Sequence, residues 1–180
     1  HFFNPAPLMR LVEVVSTATT DSGIADAAAD LMTTWGKTPV RCSDSPGFIV
    51  NRVNRPFTIE ALRLLKSGGA GVTDIDIAMR AAGFKMGPFE LMDLIGIDVN
   101  LAAARGVWDG LGRPERLRPS PIQERLVAAG NLGRKTGSGF YRYDDAGRAQ
   151  GPAEEGIAEG AGANPPQAIV ARIRNAIDAE

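Results

Sequence analysis

The hydrophobic period of this 180-residue chain changes at Ser45-Pro46-Gly47, and that change most constrains what it can fold into. Before it, residues 8 to 16 read LMRLVEVVS, rich in leucine and valine and interrupted by Arg10 and Glu13, as a strand beside a site would be. Thr20, Asp21 and Ser22 offer N-caps for a helix whose apolar positions Ile24, Ala28, Leu31 and Trp35 fall at helical spacing before Gly36. Residues 38 to 42 return as a short strand. Strand, helix and strand make one parallel α/β unit, too small to stand alone.

After the change the spacing is helical. Ile49, Val53, Phe57 and Leu62 or Leu65 lie down one face until Gly68-Gly69, with a kink expected at Pro56. A second helix is expected from a capping box, Thr73 with Asp76, and a third from Gly87-Pro88, where proline suits the first helical position. The third should carry Leu91, Ile95, Val99 and Ala102 or Ala103 inward and run to about Leu111. Ser120-Pro121-Ile122-Gln123 predicts a fourth helix over roughly residues 121 to 129. Four parts result: an α/β segment over residues 1–45, a helical domain over 46–143, a weakly ordered Ala, Gly, Glu and Pro-rich linker over 144–166, and a short amphipathic helix over 167–180 carrying Ile169, Ile173 and Ala176 or Ile177.

Composition excludes several functions. With 20 Lys and Arg against 21 Asp and Glu, a net charge of −1 gives no electrostatic reason to expect nucleic acid or an anionic membrane as partner. An anionic ligand must be held locally. No apolar run approaches the roughly 20 residues that span a bilayer. Cys42, the single cysteine, suits a reducing compartment and has no metal-ligand spacing around it. The expectation is a cytoplasmic protein without a bound metal, with Cys42 a small core residue.

His1 is the only histidine and hence the first candidate for proton transfer near neutral pH, although a histidine beside a strand is often mere surface. Glu13 is a charge set among Leu11, Val12, Val14 and Val15. Strand alternation could point it to solvent. Alternatively, Pro5 and Pro7 turn the chain so that His1 returns beside the strand and Glu13 bonds one imidazole nitrogen, which fixes the tautomer and leaves the other as a base.

Four blocks resemble the 3-hydroxyacyl-CoA dehydrogenases. They are His1-Phe2-Phe3-Asn4-Pro5 with Met9 and Leu11-Val12-Glu13-Val14-Val15; Asp44-Ser45-Pro46-Gly47-Phe48-Ile49-Val50-Asn51-Arg52; Met86-Gly87-Pro88-Phe89-Glu90-Leu91 with Asp93-Leu94-Ile95-Gly96; and Gly133-Arg134-Lys135-Thr136-Gly137-Ser138-Gly139-Phe140-Tyr141. In the right order they cover about residues 1 to 143, which a lone short motif does not do. The resemblance implies a mainly α chain: a small α/β remnant of a Rossmann-type domain, then an all-helical C-terminal domain of the 6-phosphogluconate-dehydrogenase-like kind. It implies NAD as cofactor and an acyl-CoA substrate, with a (3S)-3-hydroxyacyl group oxidised to the 3-oxo form. By the same resemblance His1 is the general base, Glu13 its partner and Asn51 a contact to the reacting part of the substrate. Met86, Pro88 and Phe89 would lie near the acyl pocket, and the helical domain would make a homodimer contact. Read without the resemblance, Asn51 is a helix-surface amide, and Phe84, Met86 and Phe89 are core residues.

One departure from the family is informative. A dinucleotide-binding domain needs a GxGxxG turn after its first strand and an acidic residue about 20 positions on, and the chain has no such turn. The expectation is therefore a fragment with most of the NAD site absent, inactive alone, whose last helix opens a second helical domain. A phenylacetate-pathway type is favoured by the linker and Trp35-Gly36-Lys37. Two other readings are a non-catalytic dimerisation and acyl-CoA-contact module, and a different nicotinamide dehydrogenase with a similar helical domain. The paired His1 and Glu13 argue against the latter, where a helix lysine is expected as acid or base.

Overall fold

The computed structural model describes residues 1–153 and 164–180. The chain divides into two compact units, His1–Arg52 and Val53–Glu180.

In the first unit, β1 (Leu11–Ser16) and β2 (Thr38–Ser43) pair in parallel, with Glu13 opposite Val40, and α1 (Ser22–Thr34) makes the crossover. Asp21 caps α1 by accepting from the amide of Gly23 at 2.7 Å. The helix seats Ala25 and Met32 inward, with Ala28 and Ala29 half-buried, because small residues let its backbone approach the sheet. Ile24, Leu31 and Trp35, the bulky members of the apolar stripe, remain 69%, 46% and 60% exposed. Cys42 is half-buried rather than in the core, and burial pushes its thiol up.

Outside β1, on the edge away from β2, the opening residues run antiparallel to it. His1 and Glu13 exchange both backbone hydrogen bonds, at 2.7 and 3.0 Å. A residue pair that exchanges both bonds carries its side chains on one face of the ladder. The return is closed by a turn in which Leu8 and Met9 donate to the carbonyl of Pro5. Lys37 Nζ donates to the carbonyls of Ala6, Pro7 and Met9 at 2.6, 3.2 and 2.9 Å, so one ammonium satisfies three turn oxygens.

In the second unit, α3 (Arg55–Lys66) is the central helix, and ten of its twelve residues are buried. The expected kink at Pro56 is a break: a single turn, α2 (Val50–Val53), precedes α3, and proline occupies the first turn of the new helix, where its missing N–H costs nothing. Around α3 lie α4 (Val72–Ala81), α5 (Pro88–Ile95), α6 (Ile97–Gly110), α7 (Pro121–Ala128) and α8 (Pro166–Asp178). Their core joins Phe57, Leu62, Leu65, Ile75, Met79, Phe89, Met92 and Phe140 with Ile169 and Ile173 of α8. The last helix thus finds its packing partner within the same unit, against α3 and α4.

Several local expectations give way to longer-range contacts. The single third helix is two, because Gly96 adopts φ +105, a backbone conformation that glycine takes without strain. The change of axis leaves Ile95 and Val99 46% and 51% exposed and turns Ile97, Leu101, Ala104 and Val107 inward. Asp76 forms no capping box; α4 starts after Gly71. Instead its carboxylate accepts from the amides of Phe89 and Glu90, both at 3.0 Å, and from Tyr141 Oη at 2.8 Å, so it caps α5 from another helix. Burial raises its pKa to about 6 against the pull of those donors. Gln123 does not box α7 either; it donates to Asn100 Oδ1 at 2.8 Å, while Ser120 Oγ caps the helix through the amide of Ile122.

The domain is not all-helical. β3 (Tyr141–Tyr143) and β4 (Ala149–Pro152) form an antiparallel hairpin where the linker was expected to begin. Asp144 builds its turn by accepting from the amides of Ala146 and Arg148. The remainder of that linker, residues 154–163, lies outside the described residues.

Candidate functional site

Glu13 is 1% exposed, a carboxylate buried in a strand, and it is fully supplied with donors. Oε2 meets Nδ1 of His1 at 2.7 Å. Oε1 accepts from the amides of Ile49 and Val50, at 3.0 and 2.8 Å. Those amides are aimed by the turn after β2, where Phe48 takes φ +47, in the left-handed region that side chains rarely adopt. The ring of His1 is bracketed by Phe3, with centroids 4.8 Å apart, and Phe48, at 5.5 Å.

Such an arrangement fixes the imidazole in both tautomer and direction. An ionised carboxylate can only accept, so Nδ1 must carry the hydrogen of that bond and Nε2 is left as the basic nitrogen. Nε2 has no hydrogen bond among the described residues, and the side chain keeps 33% exposure. A buried acceptor behind and an open, unprotonated nitrogen in front are what a positioned general base requires. Asn51 follows directly in α2 and is half-buried.

The second unit places its motif residues differently. Phe89 is fully buried and packs on Phe140, with ring centroids 4.7 Å apart; Pro88 is buried too, and Met86 is half-buried. Phe84 stacks on Phe57 at 5.0 Å. Phe140 and Tyr141, at the end of the Gly133–Tyr141 block, form one buried network with Asp93. Asp93 accepts from the amides of Phe140 and Tyr141, both at 2.9 Å, and from Tyr143 Oη at 3.0 Å. Burial raises its pKa above the ordinary carboxylate value. A cavity of about 410 Å³ opens beside α3, lined by Arg63, Lys66, Arg105, Trp108 and Arg118 among others. Its arginines are already paired, Arg63 with Glu60, Arg105 with Glu124 and Arg118 with Glu115, so it is not an assembled anion site.

Neither unit offers a pyrophosphate cradle among the described residues. The turn from β1 into α1 is Thr17-Ala18-Thr19-Thr20-Asp21, without glycine, and the carboxylate of Asp21 occupies the helix N-terminus where a phosphate would have to sit. No group of three or more metal-ligating side chains occurs among them, and no helix is long and apolar enough to cross a membrane.

Sequence reasoning paired His1 with Glu13, as the 2.7 Å contact has them, but missed the amides of Ile49 and Val50 and the two flanking phenyl rings. The Pro46-Gly47 turn was the available signal.

Comparison with known proteins follows this division of the chain. Residues 1–45 match the NAD binding domain of 3-hydroxyacyl-CoA dehydrogenase, which implies NAD as the family's cofactor, and residues 47–143 match its C-terminal domain. The chain is 50% identical over 144 residues to the 3-hydroxyadipyl-CoA dehydrogenase of Escherichia coli K12, covering 79% of this chain and 30% of that protein. It is 48% identical to the mitochondrial hydroxyacyl-coenzyme A dehydrogenase of Sus scrofa, covering 79% of this chain and 46% of the other. Among solved structures, the 3-hydroxybutyryl-CoA dehydrogenase of E. coli K12 superposes with a TM-score of 0.78 at 50% identity, over 79% of this chain and 30% of that one. The (S)-3-hydroxybutyryl-CoA dehydrogenase of Ralstonia eutropha gives 0.77 at 38% identity, over 81% and 51%. The chain thus spans from under a third to about half the length of these relatives. On these matches, over both of its units, the chain belongs to the 3-hydroxyacyl-CoA dehydrogenase family.

Proposed function

We propose that this chain supplies the proton-transfer machinery of an enzyme that oxidises a (3S)-3-hydroxyacyl-CoA to the 3-oxoacyl-CoA. The observation that carries the reading is the 2.7 Å contact between His1 Nδ1 and a buried carboxylate that two amides already hold in place. Oxidation of the alcohol requires a proton to leave the 3-hydroxyl while hydride leaves carbon 3 for an acceptor, for which the family match implies NAD. His1 takes the proton at Nε2. The imidazolium so formed is stabilised by Glu13 through a charge-assisted bond. In the reverse direction the same nitrogen is the acid. Asn51 donates to a substrate oxygen and keeps the alcohol in line.

Pro88 and Phe89 act from within the core, fixing the segment from which Met86 reaches the acyl group. The helical unit also makes the homodimer contact. Since the residues at α1 do not fit a pyrophosphate, the chain alone binds NAD weakly and turns nothing over, and catalysis belongs to the complete protein in the cytoplasm. There it serves fatty-acid or phenylacetate degradation. Relatives are named for an acyl group ending in a methyl, butyryl, and for one ending in a carboxylate, adipyl.

The test is stereospecific turnover. Supplied with NAD, the complete protein should reduce it with (3S)-3-hydroxybutyryl-CoA or (3S)-3-hydroxyadipyl-CoA and not with the (3R) thioesters. Turnover of neither (3S) substrate defeats the reading.

A further inference from the structure

The Trp35-Gly36-Lys37 turn has no part in the proton transfer described above, yet it is tied to the segment that carries His1. α1 ends there in a Schellman motif: Gly36, at φ +71, donates to the carbonyl of Thr33 at 2.9 Å, and Lys37 donates to that of Met32 at 3.0 Å. One residue on, Thr38 donates to the carbonyl of Arg10 at 2.8 Å and opens the pairing of β2 with β1. The backbone of Lys37 is therefore fixed from both sides, by a helix end and by a sheet.

From that anchor the side chain crosses to the turn between His1 and β1. Pro5 and Pro7 have no N–H to offer there, and the bonds that the turn closes within itself, from Leu8 and Met9, both run to the carbonyl of Pro5. The carbonyls of Ala6, Pro7 and Met9 are taken up by Lys37 Nζ, at 2.6, 3.2 and 2.9 Å. An ammonium has three donors, and all three are spent on this one turn. The turn contributes little to a core, since Leu8 and Met9 are 77% and 42% exposed. What its shape decides is where the opening residues lie. Their pairing with β1 rests on the two bonds between His1 and Glu13 and on the bridge from Phe2 to Val12. Register in such a ladder is set by the turn, and a slip of one residue would carry the imidazole to the opposite face, away from Glu13.

We propose that Lys37 is a positioning residue for His1: by clamping the turn over residues 5–9 to the end of α1, it fixes the register in which the imidazole meets Glu13. Every residue concerned lies in the first unit. The kinetic consequence rests on the dehydrogenase reading above; the placement of the ring does not.

The test is a double-mutant cycle in the complete protein, assayed with NAD and the (3S) thioester that it turns over. Lys37→Met keeps the apolar stem and removes the ammonium. It should lower kcat by about 10- to 100-fold, the scale of a misplaced reacting group, with KM nearly unchanged. In a His1→Gln background the same substitution should cost nothing further, because the group it positions is gone. In nitrogen NMR of His1, the Nδ1 proton that Glu13 holds downfield should be lost in Lys37→Met, and that readout needs no turnover. A kcat within a few-fold of wild type, an equal loss of kcat with His1 present and replaced, an unchanged Nδ1 proton, or a Lys37→Met protein that does not fold overturns the assignment. A wild type inactive on both (3S) thioesters is a different failure: it defeats the dehydrogenase reading and leaves the Nδ1 proton to decide whether Lys37 places the ring.

Discussion

Replacing His1 by glutamine should lower kcat of the complete enzyme by about 100-fold or more, the usual consequence of removing a general base. Glutamine is a stringent choice, because its amide can still donate to Glu13 Oε2, where His1 Nδ1 now sits at 2.7 Å. The substitution thus spares Glu13 an unpaired oxygen and removes only the basic nitrogen. KM should change little, since binding is not what has been lost. Turnover within a few-fold of wild type would take His1 out of the chemistry.

The second large effect is on stability. Asp93→Ala strips the acceptors from the buried amides of Phe140 and Tyr141 and from Tyr143 Oη. Each buried donor left unsatisfied costs about 1–3 kcal/mol, so for three donors the sum is about 3–9 kcal/mol, comparable with the whole stability of many domains. Gly133→Ala should be similarly damaging, since a Cβ there would lie 2.4 Å from the carbonyl oxygen of Asp93 and the residue's φ is +98. Denaturant unfolding measures both. A midpoint near that of the wild type in Asp93→Ala would mean that the glycine-rich block does not depend on this carboxylate, and in Gly133→Ala that the block can move away from the backbone of Asp93.

These networks explain which parts of the structure were legible in the sequence. Local signals read correctly: Pro88 at the start of α5, Ser120 and Pro121 at the start of α7, and the strand, helix and strand before Pro46 are each decided by neighbours within a turn or two. Asp76 was misread because a capping box and a carboxylate reaching a different helix look alike locally; only the distant amides of Phe89 and Glu90 tell them apart. The break at Gly96 was hidden by an apolar run that continues through it. The hairpin over residues 141–152 was hidden by composition, since its order comes from turn hydrogen bonds to Asp144 and from pairing across the turn. At the site, Glu13 stood out as a charge in an apolar strand. The amides that share its load did not, because a backbone N–H has no letter in the sequence.

Nitrogen NMR of the His1 side chain in the complete protein reports whether Glu13 holds the ring with Nδ1 protonated and Nε2 free. In the neutral ring the Nδ1–H form should dominate, with a downfield Nδ1 proton that disappears in Glu13→Gln. A neutral ring carrying its hydrogen on Nε2, insensitive to that substitution, would mean that Glu13 does not set the tautomer of His1.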